Sequence, residues 1–276
     1  MEYLLSFAQG GEDIVLFHLL KNVTKPIRYV DAGANDPIEI SVTKFFYNMG
    51  GSGINIEPQQ KYIEQLNKDR PRDINLAVGI SNKAGELVLH GEGGLATFDS
   101  NNEHVAHNKV HTVPVVTLLD IFNKYVSKDE DIHFLKIDIE GWERKCLEGM
   151  DFLQFRPWVL CIEAMGLGGV SHYEEWEDLV ISQNYVLLGP DGGNRFYAAA
   201  ERLPELQEFR QAEELRKIYK VILYADYAAD YPFNRFMLDK IRKKVAPTLN
   251  RSPFGQKVKA SILKSFLWRK VISKVY

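Results

Sequence analysis

The apolar residues of the first half of the chain fall into short buried runs separated by amphipathic stretches about ten residues long. Ile14, Leu16, Phe17 and Leu20 stand at helical spacing and predict a helix over 13–21, ended by Pro26. Residues 27–30 then predict a buried strand, 38–49 a helix closed by Gly50-Gly51, 53–56 a strand, 60–68 a helix and 74–78 a strand. Strands alternating with short helices imply parallel pairing through right-handed crossovers. Residues 86–90 predict an added strand or hairpin arm. The stretch 91–111 is irregular and rich in Gly, Asn and His, which predicts a functional loop or lid.

Periodicity resumes with a strand over 113–116, a helix to Tyr125 with Thr117 as its N-cap, a strand over 132–137 and a helix over 141–147. A strand over 158–162, a helix over 172–182 and an antiparallel pair of 185–188 with 195–199 complete the pattern. The sum is an α/β fold: a doubly wound, mostly parallel sheet of about seven strands with helices on both faces. Beyond Pro204 the chain turns helical and rich in Tyr, Lys and Arg. The expected organisation is one domain over 1–203 and a helical, basic extension over 204–276.

Composition narrows the class without changing it. Hydrophobic residues make up 45% of the chain and aromatic ones 12%, enough for a substantial core and unlike a disordered chain or a disulfide scaffold. A net charge of −3 gives no general attraction to nucleic acid. Cys146 and Cys161 lie in predicted core elements and read as packing residues of a reducing compartment. The acidic start, broken by Gly10-Gly11, does not read as a secretion leader, and no run of eighteen apolar residues exists. A cytoplasmic location is expected. The charge is unevenly spread, however: residues 240–276 hold eleven Lys and Arg and no acid. Val258, Ile262, Leu263, Phe266, Leu267, Val271 and Val275 recur at helical steps among these lysines. Such a helix either lies on the inner face of an anionic membrane, docks on a partner such as a glycosyltransferase, or packs back on the domain.

In doubly wound sheets ligands sit beyond the carboxyl ends of the strands. The residues there are Asp31 to Asn35, Glu57, Ala77-Val78, Asp138 with Glu140, and Glu163. Gly33 allows a cofactor to approach the backbone closely. The turn lacks the G-x-G-x-x-G glycines that make room for a pyrophosphate, so an adenosine ribose without that group fits better. Glu57 stands where a carboxylate accepts hydrogen bonds from both ribose hydroxyls; the bland alternative is a surface acid after a strand.

Four segments carry a resemblance. Ser6-Phe7-Ala8-Gln9-Gly10-Gly11-Glu12-Asp13, Tyr29-Val30-Asp31-Ala32-Gly33-Ala34-Asn35-Asp36-Pro37, Ile54-Asn55-Ile56-Glu57-Pro58 and Phe134-Leu135-Lys136-Ile137-Asp138-Ile139-Glu140-Gly141-Trp142-Glu143 stand in the order used by the FkbM-type methyltransferases. Asn194-Arg195-Phe196-Tyr197 resembles that family's closing strand, so the similarity spans about residues 4 to 200. It implies a class I methyltransferase that uses S-adenosylmethionine, in a family many of whose members act on sugars or polyketides. It also implies that Asp31, Gly33 and Asn35 line the methionine end and Glu57 the ribose, with Gln9, Ser41 and Thr43 in matching segments and Ala77, Val78 and Asp138 at neighbouring strand ends.

Methyl transfer to a sugar hydroxyl needs in-line placement and removal of a proton. Two devices are open. Asp138 and Glu163 could converge on a hard divalent cation such as magnesium, as carboxylates do in catechol-type O-methyltransferases; otherwise Asp138 and Glu140 cap the helix that follows. His172, within Ser171-His172-Tyr173-Glu174-Glu175-Trp176-Glu177, resembles a family stretch Thr-His-x-x-Trp-Glu and is the candidate base, unless it merely bonds a helix terminus. His104, His107 and His111 read as a solvated loop cluster without the ligands of a zinc site. Trp142, Trp158 and Trp176 read as packing residues. The expected function is transfer of a methyl from S-adenosylmethionine to a carbohydrate hydroxyl. Rival readings are a nicotinamide oxidoreductase, a methyltransferase of a non-sugar hydroxyl, and a non-catalytic cofactor-binding subunit of a glycan-assembly complex.

Overall fold

Alternate residues along the central strands feed two separate cores, one on each face of a single sheet. The computed structural model describes residues 4–100, 110–166 and 170–224. The chain opens with β1 (Leu4–Ser6), α1 (Glu12–Leu19), β2 (Arg28–Ala32), α2 (Val42–Asn48), β3 (Ser52–Ile56), α3 (Gln60–Asp69) and β4 (Ile74–Leu76). Next come β5 (Gly79–Ile80), β6 (Gly85–His90), β7 (Val110–Val116), α4 (Leu118–Tyr125), β8 (Phe134–Ile137), α5 (Glu143–Glu148) and β9 (Val159–Glu163). It continues through α6 (Glu177–Ser182), β10 (Tyr185–Asp191), β11 (Asn194–Ala199), α7 (Ala212–Tyr219) and β12 (Val221–Leu223).

Seven strands form the main sheet in the order β10-β11-β9-β8-β2-β3-β4. The run from β4 to β9 is parallel, and β11 pairs antiparallel with both β9 and β10. The sheet is therefore mixed, with the expected antiparallel pair at one edge. Val30 and Ala32, Leu135 and Ile137, Leu160 and Ile162 point to one face, where α4, α5 and α6 bury Phe122, Leu147 and Val180. Tyr29, Phe134, Val159 and Cys161 point to the other, against Leu16 of α1, Phe46 of α2 and Leu215 of α7. Helices on both faces make the sheet doubly wound. Within this sheet the chain enters at β2 in the middle, runs outward to β4 and returns at β8, so the order reverses between β2 and β8, where such sheets hold ligands.

Three sequence expectations are corrected. The predicted strand over 74–78 stops at Leu76, and Gly79 and Ile80 instead join β7 in a small sheet ordered β5-β7-β6. A Cβ at Gly79 would lie 2.4 Å from the Phe98 ring, so the ring packs here against bare backbone. The helix over 38–49 begins only at Val42, after Ile40 at φ 55°. The helix over 172–182 splits into a 3₁₀ turn, Tyr173–Glu175, and α6, because Trp176 is drawn into the core at φ −133°.

Residues 204–224 of the expected extension pack on the start of the chain: β12 pairs with β1, and Ala212 and Leu215 join the core of α1. The basic stretch 240–276, and His104 and His107, lie outside the described residues. Among the described residues no helix is long and apolar enough to cross a membrane. Cys146 and Cys161 are free and buried.

Candidate active site

The centre of the site is built where β2 ends. Asp31, Lys136 and Asn55 stand side by side across three strands, Asp31 paired with Lys136 on β8 and with Asn55 on β3. Lys136 is a cation inside a buried run; its Nζ lies 3.5 Å from Asp31 Oδ1 and 3.2 Å from Asp138 Oδ2, and donates to Gly33 O at 3.2 Å. Burial alone would lower its pKa, but the charges of Asp138 and Asp31 outweigh that and raise it. Gly33 sits at φ 88°, and a Cβ there would lie 1.8 Å from Asp138 O. Only glycine lets the ends of β2 and β8 close to this distance.

The turn then presents Glu57. Its carboxylate, 3% exposed, accepts from Asn35 N at 3.1 Å and from Gln59 N at 2.8 Å. Burial pushes its pKa up against those two bonds. Two backbone donors fix the plane of the carboxylate and leave it lone pairs for two further hydroxyl donors. Behind the turn lies Arg70, fully buried, whose guanidinium donates to Pro37 O at 2.6 and 3.1 Å, to Thr43 Oγ1 at 2.6 Å and to Ser41 Oγ. Thr43 Oγ1 in turn donates to Asp31 Oδ2 at 2.8 Å.

A cavity of about 430 Å³ opens over these residues. Val78, Ile80, Leu89 and Phe98 make one apolar end; Gly33, Asn35, Glu57 and Lys136 lie along its floor; Asp138, Glu140 and Glu163 stand on its wall. Gln9 reaches the wall because the opening segment is tied back to the start of α1 by side-chain hydrogen bonds. Asp13, fully buried, accepts from Ser6 Oγ at 2.6 Å and Phe7 N at 2.7 Å, and Glu12 accepts from Gly10 N and from Asn194 Nδ2. The first and last of the sequence segments thus meet.

Carboxyl groups crowd one side. Ligating atoms of Asp138, Glu140 and Glu163 lie within 4.8 Å of one another, as do those of Glu143, Glu163 and His172. Glu143, 1% exposed, spends Oε1 on Ile139 N and Gly141 N and brings Oε2 to 3.4 Å from His172 Nε2. That contact is the main reason the His172 pKa is raised. Burial, then Asp138, Glu140 and Glu143, push the Glu163 carboxyl far up, and burial with Asp138 and Glu143 lifts Glu140 to about 7. Among the described residues Glu163 Oε2 is a buried atom without a hydrogen-bond partner, and the buried His172 Nε2 meets Glu143 in its ion-pair approach.

Of the residues singled out from the sequence, Gln9, Gly33, Asn35, Glu57, Val78, Asp138 and Glu163 line the cavity. Asp31, Ser41 and Thr43 stand behind the wall, in the network of Lys136 and Arg70. Ala77 is exposed beside the strand break and off the wall. His172 reaches the cluster through Glu143 and Glu163. Trp158 and Trp176 are buried, as expected of packing residues. Sequence reasoning missed Lys136, Arg70, Gln59 and Glu143. A lysine inside the apolar run Phe134-Leu135-Lys136-Ile137 was a visible signal; Arg70 and Gln59 had none.

No curated protein matches the chain. The family profile described as the methyltransferase FkbM domain matches residues 31–187, from the central aspartate of β2 into β10. That span exceeds half the chain and contains the glycine turn, Glu57 and the carboxyl cluster, so the chain belongs to the FkbM methyltransferase family.

Proposed function

We propose that the chain is an S-adenosylmethionine-dependent O-methyltransferase that acts on a hydroxyl of a sugar or glycan. The observation that carries this reading is Glu57, held by Asn35 N and Gln59 N at the end of β3, beside a glycine turn with no phosphate-cradling loop. The arrangement fits a ribose with two hydroxyls and opposes a dinucleotide. When bound, S-adenosylmethionine supplies a methyl group on a cationic sulfur. Gly33 and Asn35 would hold its amino-acid end, Glu57 its ribose, and Val78, Ile80 and Phe98 its base. The sugar class of the acceptor rests on the family resemblance.

At the far end the chain's own groups must take the hydroxyl proton. His172 is the candidate base, and Glu143 holds its ring and stabilises the protonated form. A divalent cation is the second device. The donor set fits one: hard carboxylate oxygens of Asp138, Glu140 and Glu163 within 4.8 Å of one another, with Glu163 Oε2 unpartnered among the described residues. Its chemistry there would be to lower the pKa of an acceptor hydroxyl. The basic segment 250–276 would bring the enzyme to lipid-linked acceptors. The test is incubation with methyl-labelled S-adenosylmethionine and a panel of neutral, acidic and lipid-linked glycans, read by mass spectrometry. An O-methylated sugar is the expected product; label on nitrogen or on the protein alone would overturn the acceptor assignment.

A further inference from the structure

Residues 91–98 cross one side of the cavity between two unlike anchors. At the first, Gln59 Nε2 donates to Gly93 O and Gly93 N donates to Gln59 Oε1, each at 2.9 Å. Both bonds are neutral and half-buried, so water can replace them at little loss. At the second, Thr97 is 1% exposed, its Oγ1 donates to Glu140 O at 2.7 Å, and its backbone exchanges two bonds with His90. Phe98 adds packing against Gly79 and Trp142. The second anchor is much the stronger. Between them Leu95 and Ala96 form cavity wall while Leu95 stays 46% exposed, so little apolar burial holds the middle down. Gly91 at φ 83° and Gly93 at φ 82° mark where the backbone turns. The same Gln59 that holds Gly93 also donates its N–H to Glu57 Oε1.

We propose that residues 91–98 form a strap that pivots at Thr97 and releases from Gln59 to admit a ligand to the cavity and to free it. The strap covers the ribose and apolar end, so it gates the nucleoside, and Gln59 ties its closure to the carboxylate that receives the ribose. Only the identity of that ligand rests on the proposed function.

The test uses the full chain in two arms. In the first, Val78→Cys places a thiol on the cavity wall, and its maleimide labelling is timed; both native cysteines are buried. Gln59→Ala should speed labelling about ten-fold, the loss of about 1.4 kcal/mol of closure. Gly93→Ala, strained at its left-handed φ, should speed it too. Gln60→Ala, whose residue bonds along its own helix to Glu64, should not. In the second arm, stopped-flow binding of S-adenosylhomocysteine should show association and dissociation accelerating together in Gln59→Ala. Equal labelling in all variants, or a rise in dissociation alone, would overturn the strap. If labelling responds and S-adenosylhomocysteine does not bind even the unmodified chain, the strap stands and the cofactor reading falls.

Discussion

Replacing Lys136 with methionine keeps the length of the side chain and removes the one charge shared by Asp31 and Asp138. Breaking a buried ion pair from one side costs about 3–5 kcal/mol, because the remaining charge has neither partner nor water. The two carboxylates differ in this respect: the Asp31 side chain is 2% exposed and Asp138 35%. Water offsets part of the loss at Asp138, so the lower end, about 3 kcal/mol, is expected. In a domain of this size that lowers Tm by about 6–12 °C. Thermal unfolding followed by circular dichroism at pH 7 reads this deficit. A variant melting within about 2 °C of the parent would refute the ion pairs as stabilising contacts.

Gly33→Ala should fail to accumulate as folded protein, since its Cβ would lie 1.8 Å from Asp138 O. Gly141→Ala, at φ 92° with open space around it, should fold with a loss of about 1–2 kcal/mol, measured by urea melts. His172→Ala should lower kcat about 100-fold with cofactor affinity unchanged. As Glu143 raises the His172 pKa, the neutral base appears only above that value, and the rate should climb with pH through it. Glu143→Gln should shift the climb to lower pH; an unmoved profile would remove His172 as the base. If a cation carries the chemistry instead, chelation should abolish turnover, and Asp138→Asn and Glu163→Gln should mimic it. Full activity in chelator would exclude that device.

What the sequence revealed, and what it hid, follows from the range of the interactions. Strands β2, β3, β8 and β9 were legible because each is a short apolar run ending in a polar residue, and burial on both faces leaves no other reading. The cavity residues Gly33, Glu57, Asp138 and Glu163 were legible for the same reason: each directly follows such a run or closes it. The break after Leu76 was not, because it is set by Phe98 packing on Gly79 and by pairing with Val115, both distant in the chain. Ser41 and Thr43 were placed near the cofactor by segment matching, yet they serve Arg70, a contact across nearly thirty positions. The sequence assigned the cap of the following helix to Asp138 and Glu140, whereas Glu143 accepts from Ile139 N and Gly141 N; its second oxygen, facing His172, depends on the fold of β9 and the loop after it.

On the proposed function, the cavity at the ends of β2, β3 and β8 binds an S-adenosyl cofactor through Glu57. Titration calorimetry of the full chain with S-adenosylhomocysteine, and separately with NAD, tests it most directly. Binding of the first and none of the second is expected, with Glu57→Ala weakening the first about 10- to 150-fold through the loss of about 1.5–3 kcal/mol of charge-assisted hydrogen bonding. Tight NAD binding, or S-adenosylhomocysteine binding that is indifferent to Glu57→Ala, would contradict it.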